Sequence, residues 1–105
     1  MRKVTKNVVG SFVHNKAQAN GNTSTDGTAL FLHGNKIAEW VTENIVRVTL
    51  AGWPTSTTRE RLNGIPGVSA YQRDGQQYIN GKQVDPRAWV EVIIPAEIMK
   101  RELRG

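Results

Sequence analysis

The residues best suited to chemistry lie together in one run, Trp53-Pro54-Thr55-Ser56-Thr57-Thr58-Arg59-Glu60-Arg61. The hydroxyls of Thr55, Thr57 and Thr58 fall where a helix would begin, and free backbone N–H groups accompany them. Arg59 and Arg61 follow just inside. This is the equipment of an anion site: the N–H donors and the helix dipole hold a phosphate, and arginine adds charge-assisted bonds. Trp53, or Tyr71 further along, offers an aromatic face on which a base can stack. Arg73 and, near the amino end, Lys3 and Lys6 supply further cations for a phosphate backbone. The simpler reading of the same residues is structural, with Thr55 or Thr57 as a helix cap, Trp53 in the core and the arginines in water.

Other chemistry has less to stand on. Residues 19–28, ANGNTSTDGT, hold turn formers and hydrogen-bonding groups without a large apolar side chain, which reads as a polar loop and a second candidate surface. His14, His33 and Asp26 could meet as a facial metal site, but no ligand motif demands it. Asp74 is explained by its turn and Glu60 by a helix start, so no carboxylate calls for an acid–base role. No nucleophile elbow, phosphate loop or dinucleotide fingerprint is present. The chain has no cysteine, which excludes disulfides, thiolate metal sites and a cysteine nucleophile. The expectation is a protein that is not an enzyme and needs no cofactor.

The elements that must position these residues follow from periodicity. Val4, Val8, Val9, Phe12, Val13 and Ala17 form one helical stripe, which predicts an amphipathic helix near 5–18, with a strand as the alternative. Three runs rich in β-formers, 29–33, 36–41 and 45–50, are separated by short turns and predict an antiparallel meander. A hydroxyl cap and a closing Gly64 predict a short helix over 56–63. Asp74-Gly75 between 68–73 and 76–80 predicts a hairpin, Asn80-Gly81 a second turn, and 89–94 another strand. Pro95 can open a last helix over 96–103. The order α-β-β-β-α-β-β-β-α predicts an α+β fold, an antiparallel sheet built from the meander and the second hairpin with helices to one side.

With 105 residues, 38% of them hydrophobic and 22% charged, the chain is expected to be one globular domain, 1–105. Fourteen Lys and Arg against nine Asp and Glu give a formal charge of +5. The excess sits at the amino end: Arg2, Lys3, Lys6 and Lys16 precede the first acid, Asp26, and from there ten basic residues meet nine acidic ones. A basic end attracts nucleic acid, although the same charge also serves solubility. No stretch approaches the roughly 20 apolar residues of a membrane span, and the amino end makes a poor signal peptide.

Two segments, NTSTDGTALFLHGNKIAEW and LAGWPTSTTRERLNGIPGVSAYQRDGQQYINGK, resemble small proteins of tailed bacteriophages. The shared pattern is N-T-x-T-D-G, L-H-G-N-x-I-A, A-G-W-x-T-x-T-T-x-x-R-L-N and a closing Y/W-x-N-G. It covers Asn22 to about Gly81 and leaves the tail from Pro86 outside. The resemblance implies a phage origin and brings no activity with it. A phage setting implies a small accessory protein acting in the host cytoplasm. The leading expectation is nucleic-acid or phosphate binding through Thr55, Thr57, Thr58, Arg59, Arg61, Trp53, Arg73, Lys3 and Lys6. The alternatives are a binder or inhibitor of a host protein, acting through an apolar patch around Trp89 and the last helix, or a homo-oligomeric sponge for a nucleotide signal.

Overall fold

The computed structural model describes Lys3 and residues 5–94. The helix expected over 96–103 lies outside the described residues.

The apolar stripe near the amino end does form a helix, but a shorter one than its periodicity suggests. A π-helical segment, Thr5–Val9, runs into α1, Gly10–Val13, and buries Thr5, Val8, Val9, Phe12 and Val13. The reason it stops is Asn15, whose φ of 58° is left-handed. Lys16 N–H then reaches Ser11 O at 2.8 Å and Asn15 N–H reaches Phe12 O at 3.1 Å, the paired bonds of a Schellman ending. Ala17, in phase with the stripe, is therefore not helical. It opens β1, Ala17–Asn20, which pairs with β2, Thr23–Asp26, around Gly21-Asn22. The expected helix to residue 18 and the expected loop at 19–28 are both corrected by this hairpin. Thr23 and Thr25 are buried in β2, so two side chains read as loop polarity belong to the interior.

The meander follows as β3, Ala29–Leu32, β4, Asn35–Trp40, and β5, Ile45–Val48. Its antiparallel pairing matches the expectation, but the first turn falls at His33-Gly34, so that Asn35 already belongs to β4, and the meander is the middle of a larger sheet. The order is β1-β2-β3-β4-β5-β9, with β9, Val90–Ile93, antiparallel to β5. Strand β9 closes the sheet by pairing Val46 with Val92 and Val48 with Val90. The second hairpin, β6, Ala70–Arg73, and β7, Gln76–Ile79, does not join this sheet. With β8, Lys82–Gln83, it makes a separate three-stranded one. The connection through α2, Ser56–Leu62, carries the chain away from β5 before β6 begins.

Both sheets share one apolar core. Phe12 and Val13 share one buried cluster with Leu30, Val46, Val48 and Val92 of the large sheet and with Leu62, Ile65, Ala70 and Ile79 of α2, the following loop and the small sheet. Each side chain of this size that is fully buried contributes about 1.5–3 kcal/mol. Trp40 stacks on Phe12 with ring centroids 5.6 Å apart, and its indole N–H donates to Phe12 O at 3.0 Å.

Among the buried polar side chains, one is charged. Arg61 is 2% exposed, the only charged side chain that is buried among the described residues. Its Nε donates to Thr23 Oγ1 at 2.9 Å and its Nη1 to Thr5 Oγ1 at 2.8 Å, and Nη1 also pairs with Glu60. Thr5 in turn donates to Glu60, and Thr23 donates to Asn22 Oδ1 at 2.8 Å. Each hydroxyl thus both gives and receives, as a buried network requires. The two helical segments approach closely here: a Cβ on Gly64 would stand 2.7 Å from Thr5 Cγ2. Arg61→Ala is expected to destabilise the fold by about 3 kcal/mol, because it strands Thr5, Thr23 and Glu60 together. The double variant Arg61→Met with Thr23→Val should lose less. Urea unfolding of the three proteins checks this, and a loss under about 1 kcal/mol for Arg61→Ala would show the network to be dispensable.

Candidate functional site

Two surfaces stand out, and tight turns position both. Strands β3 and β4 join through His33-Gly34, with φ of 52° and 79°. The chain leaving β5 reverses at Ala51-Gly52, with φ of 54° and 77°, and Trp53 N–H closes that turn onto Leu50 O at 2.8 Å. The two turns come together because β4 and β5 stay in register past the strand end, with Thr49 N–H donating to Ile37 O at 2.8 Å. Between them lies a cleft of about 490 Å³. Leu32, Ile37, Leu50 and Ala51 form its apolar floor, and Trp53 stands at one wall. His33, Asn35, Thr55, Thr57 and Thr58 supply polar groups, and no charged residue lines it.

The residues singled out from sequence divide between this cleft and other places. Trp53 is 62% exposed, so it is not a core residue. Thr55 is the N-cap of α2: its Oγ1 accepts from Thr58 N–H at 3.2 Å and shares a hydrogen bond with Thr58 Oγ1 at 2.9 Å. Thr58 is buried and committed to that cap, whereas Thr57 is half-buried and faces the cleft. Arg59 folds back along α2, its Nη1 donating to Pro54 O and to Gln77 Oε1, each at 2.9 Å. Arg61 is turned inward and does not stand beside Arg59. Residues two apart on a helix point to different sides, and here one side is the core. The paired arginines expected at an anion site are therefore separated. Lys3 and Lys6 are exposed near the amino end and do not line the cleft.

Arg73 belongs to the second surface. In the small sheet the register pairs Tyr71 with Tyr78 and Arg73 with Gln76. Partners across an antiparallel pair share a face. The two tyrosine rings stack with centroids 5.2 Å apart and planes 7° from parallel. The Arg73 guanidinium lies 5.4 Å from the Tyr78 centroid. Gln83, opposite Tyr78, donates through its amide to Gln76 Oε1 at 2.9 Å. Ala70, Gln77 and Ile79 alternate to the buried side, so the tyrosine face looks outward. Tyr78 was missed in the sequence, yet its position was readable. A two-residue turn at Asp74-Gly75 sets residue 73 opposite 76 and therefore 71 opposite 78.

The polar segment at Asn22–Asp26 has a structural role. Asp26 Oδ1 accepts from Thr28 N–H and Ala29 N–H, both at 2.8 Å, and closes the connection between β2 and β3. Those two bonds, Ala29 first, hold its carboxyl below the ordinary value of 3.8. The His33 ring meets the Asn22 amide at 3.4 Å, while His14 Nε2 is buried without a partner among the described residues. The described residues hold no cluster of three or more His, Cys, Asp or Glu that could bind a metal ion. No described helix is long and apolar enough to cross a membrane.

This is a small phage protein, in which an α+β scaffold displays an aromatic cleft and a tyrosine-bearing sheet face. The chain belongs to the Kyanoviridae Gp96 protein family, named for a family of tailed cyanophages, and that family's model matches residues 1–96. The match takes in the amino-terminal helical segment and β9, beyond the stretch from Asn22 to Gly81, so the part from Pro86 to Ala96 is not peculiar to this chain. No curated protein and no solved structure matches it.

Because the Asp26 carboxyl is lowered in the folded state, its contribution is fully present above the unfolded value and is lost as pH falls through the folded one. Asp26→Asn is therefore expected to be less stable than the parent at neutral pH, with the gap closing as pH falls through the folded-state titration, below 3.8. Urea unfolding across that range checks it, and a gap independent of pH would show that the charge is not involved.

Proposed function

We propose that this phage protein binds single-stranded nucleic acid on the outward face of its three-stranded sheet. The observation that carries the reading is the stacked pair Tyr71–Tyr78 with Arg73 over one ring. Aromatic rings on an open sheet face accept bases of any identity, at about 1–3 kcal/mol per stacked base. Arg73 supplies a cation next to the stack. Gln76 and Gln83 add neutral amides that can donate and accept, and no carboxylate is among the paired residues of the three strands. The formal charge of +5 assists approach to a polyanion. The reading is one of binding rather than catalysis, exercised in the host cytoplasm.

A second reading has its own observation. Ile93 is 67% exposed and Trp89 40% exposed, both at the outer strand β9, where Arg47 lies 4.6 Å over the Trp89 ring. Exposed apolar side chains on an outer strand, flanking Glu91, suit capture of a host protein by strand addition. Salt separates the two readings, since release of counterions makes nucleic-acid affinity fall steeply with ionic strength while apolar capture does not.

A salt titration of binding to labelled single-stranded DNA and RNA, followed by anisotropy, tests the proposal. Tyr71→Ala with Tyr78→Ala is expected to weaken binding by about tenfold or more, and the Phe substitutions at both positions should retain most of it. Arg73→Ala should reduce the slope of log affinity against log salt by about one unit. No binding at low salt, or binding that ignores all three side chains, would overturn the reading.

A further inference from the structure

The Trp53 cleft is a separate site with a different chemistry, and we propose that it takes a single neutral nucleobase. Four features of the cleft lead there. Its volume of about 490 Å³ lies within the range of about 300–1,000 Å³ found for small-molecule sites. Its lining contains no Lys, Arg, Asp or Glu, so no fixed charge meets a phosphate or a carboxylate there and a neutral group suits it better. The floor of Leu32, Ile37 and Leu50 and the Trp53 indole suit a flat ring, because aromatic groups bind by offset stacking and apolar contact together. The rim, finally, carries both hydrogen-bonding senses. The Asn35 amide donates and accepts, the Thr57 hydroxyl does the same, and neither side chain is bonded by another described residue. A heterocycle whose edge alternates donors and acceptors meets that rim, whereas a plain hydrocarbon would leave it unpaired.

The backbone supports a binding role for Trp53. Ala51 has a φ of 54°, a left-handed conformation that glycine, asparagine and aspartate adopt more readily than alanine. The turn is held there by Gly52 N–H donating to Pro86 O at 2.9 Å and by Ala51 N–H donating to Thr49 Oγ1 at 3.1 Å. The result is an indole kept 62% exposed at the wall of an apolar cleft. The turn fixes where the backbone presents the indole, so little backbone freedom remains to be lost on binding.

The ring can come from a free nucleoside or from one base of a bound strand, and the chemistry of the cleft is the same for both. The experiment uses the full chain and titrates it with the free ribo- and deoxynucleosides, with a short single-stranded oligonucleotide, and with N-acetyl-tryptophanamide as a protein-like ring. Amide chemical shifts at His33, Asn35, Trp53 and Thr57 are followed by NMR. Saturable shifts at these amides with nucleosides are expected, weakened at least tenfold by Trp53→Ala and by Thr57→Phe, which fills the mouth without entering the core. Tyr71→Ala with Tyr78→Ala should leave the nucleoside-dependent shifts at these four amides unchanged, because neither tyrosine lines the cleft. Shifts with the oligonucleotide alone, lost in Trp53→Ala, would also support the proposal and assign the ring to a strand. Saturation by N-acetyl-tryptophanamide without any nucleoside or oligonucleotide response would overturn it in favour of a protein side chain. No response to any of the three would overturn it outright. Retained native amide dispersion shows that each variant has folded.

Discussion

The buried guanidinium of Arg61 is the constraint on which the arrangement rests. It is one charge held by groups from three parts of the chain: Thr5 of the helical start, Thr23 of β2 and Glu60 beside it on α2. A charge removed from water is tolerated only when its donors and its partner are all satisfied, so the three elements must arrive together. Hydrophobic contact alone would let α2 slide against the amino-terminal segment. The directional bonds to Thr5 and Thr23, with Gly64 allowing the close approach of Thr5, set one position. In this sense the network specifies the packing more than it strengthens it.

Once α2 is placed, both candidate surfaces follow. Its first turn carries Thr55, Thr57 and Thr58 to the side of the cleft opposite the His33-Gly34 turn. Arg59, on a different side of α2 from Arg61, bonds Gln77 and ties the helix to β7, the strand that carries Tyr78. The small sheet is thus docked through its buried side, and its tyrosine side is left to solvent. The large sheet spends its inner face on the core and its outer face on ion pairs, Glu39 with Lys36 and with Arg47. The aromatic groups that remain available lie at the cleft, on the small sheet and at β9.

Chemistry that looked concentrated in one run of sequence is distributed in space. Trp53 and Thr57 reach the cleft, Arg59 bridges two elements, and Arg61 becomes the interior hub. The hydroxyls of Thr55 and Thr58 spend themselves on the helix cap. The surfaces the fold presents are a cleft without fixed charge and an aromatic sheet face. They differ in character because one lies between two turns and the other on an open strand pair.

The local elements are legible in the chain alone, because their signals are local. Asp74-Gly75 and Asn80-Gly81 favour left-handed φ, Thr55 caps α2, and alternation marks β5; each acts over a few residues whatever surrounds them. Local rules also explain why Asn15 ended the helix early, although the apolar stripe through Ala17 concealed it. It takes the packed fold to show that the second hairpin forms its own sheet, that β9 adds to β5, and that Arg61 is inside. Strand partners and buried charges depend on groups more than thirty residues apart, Arg61 with Thr23 and Thr5 among them, and no spacing within one segment records such a pairing.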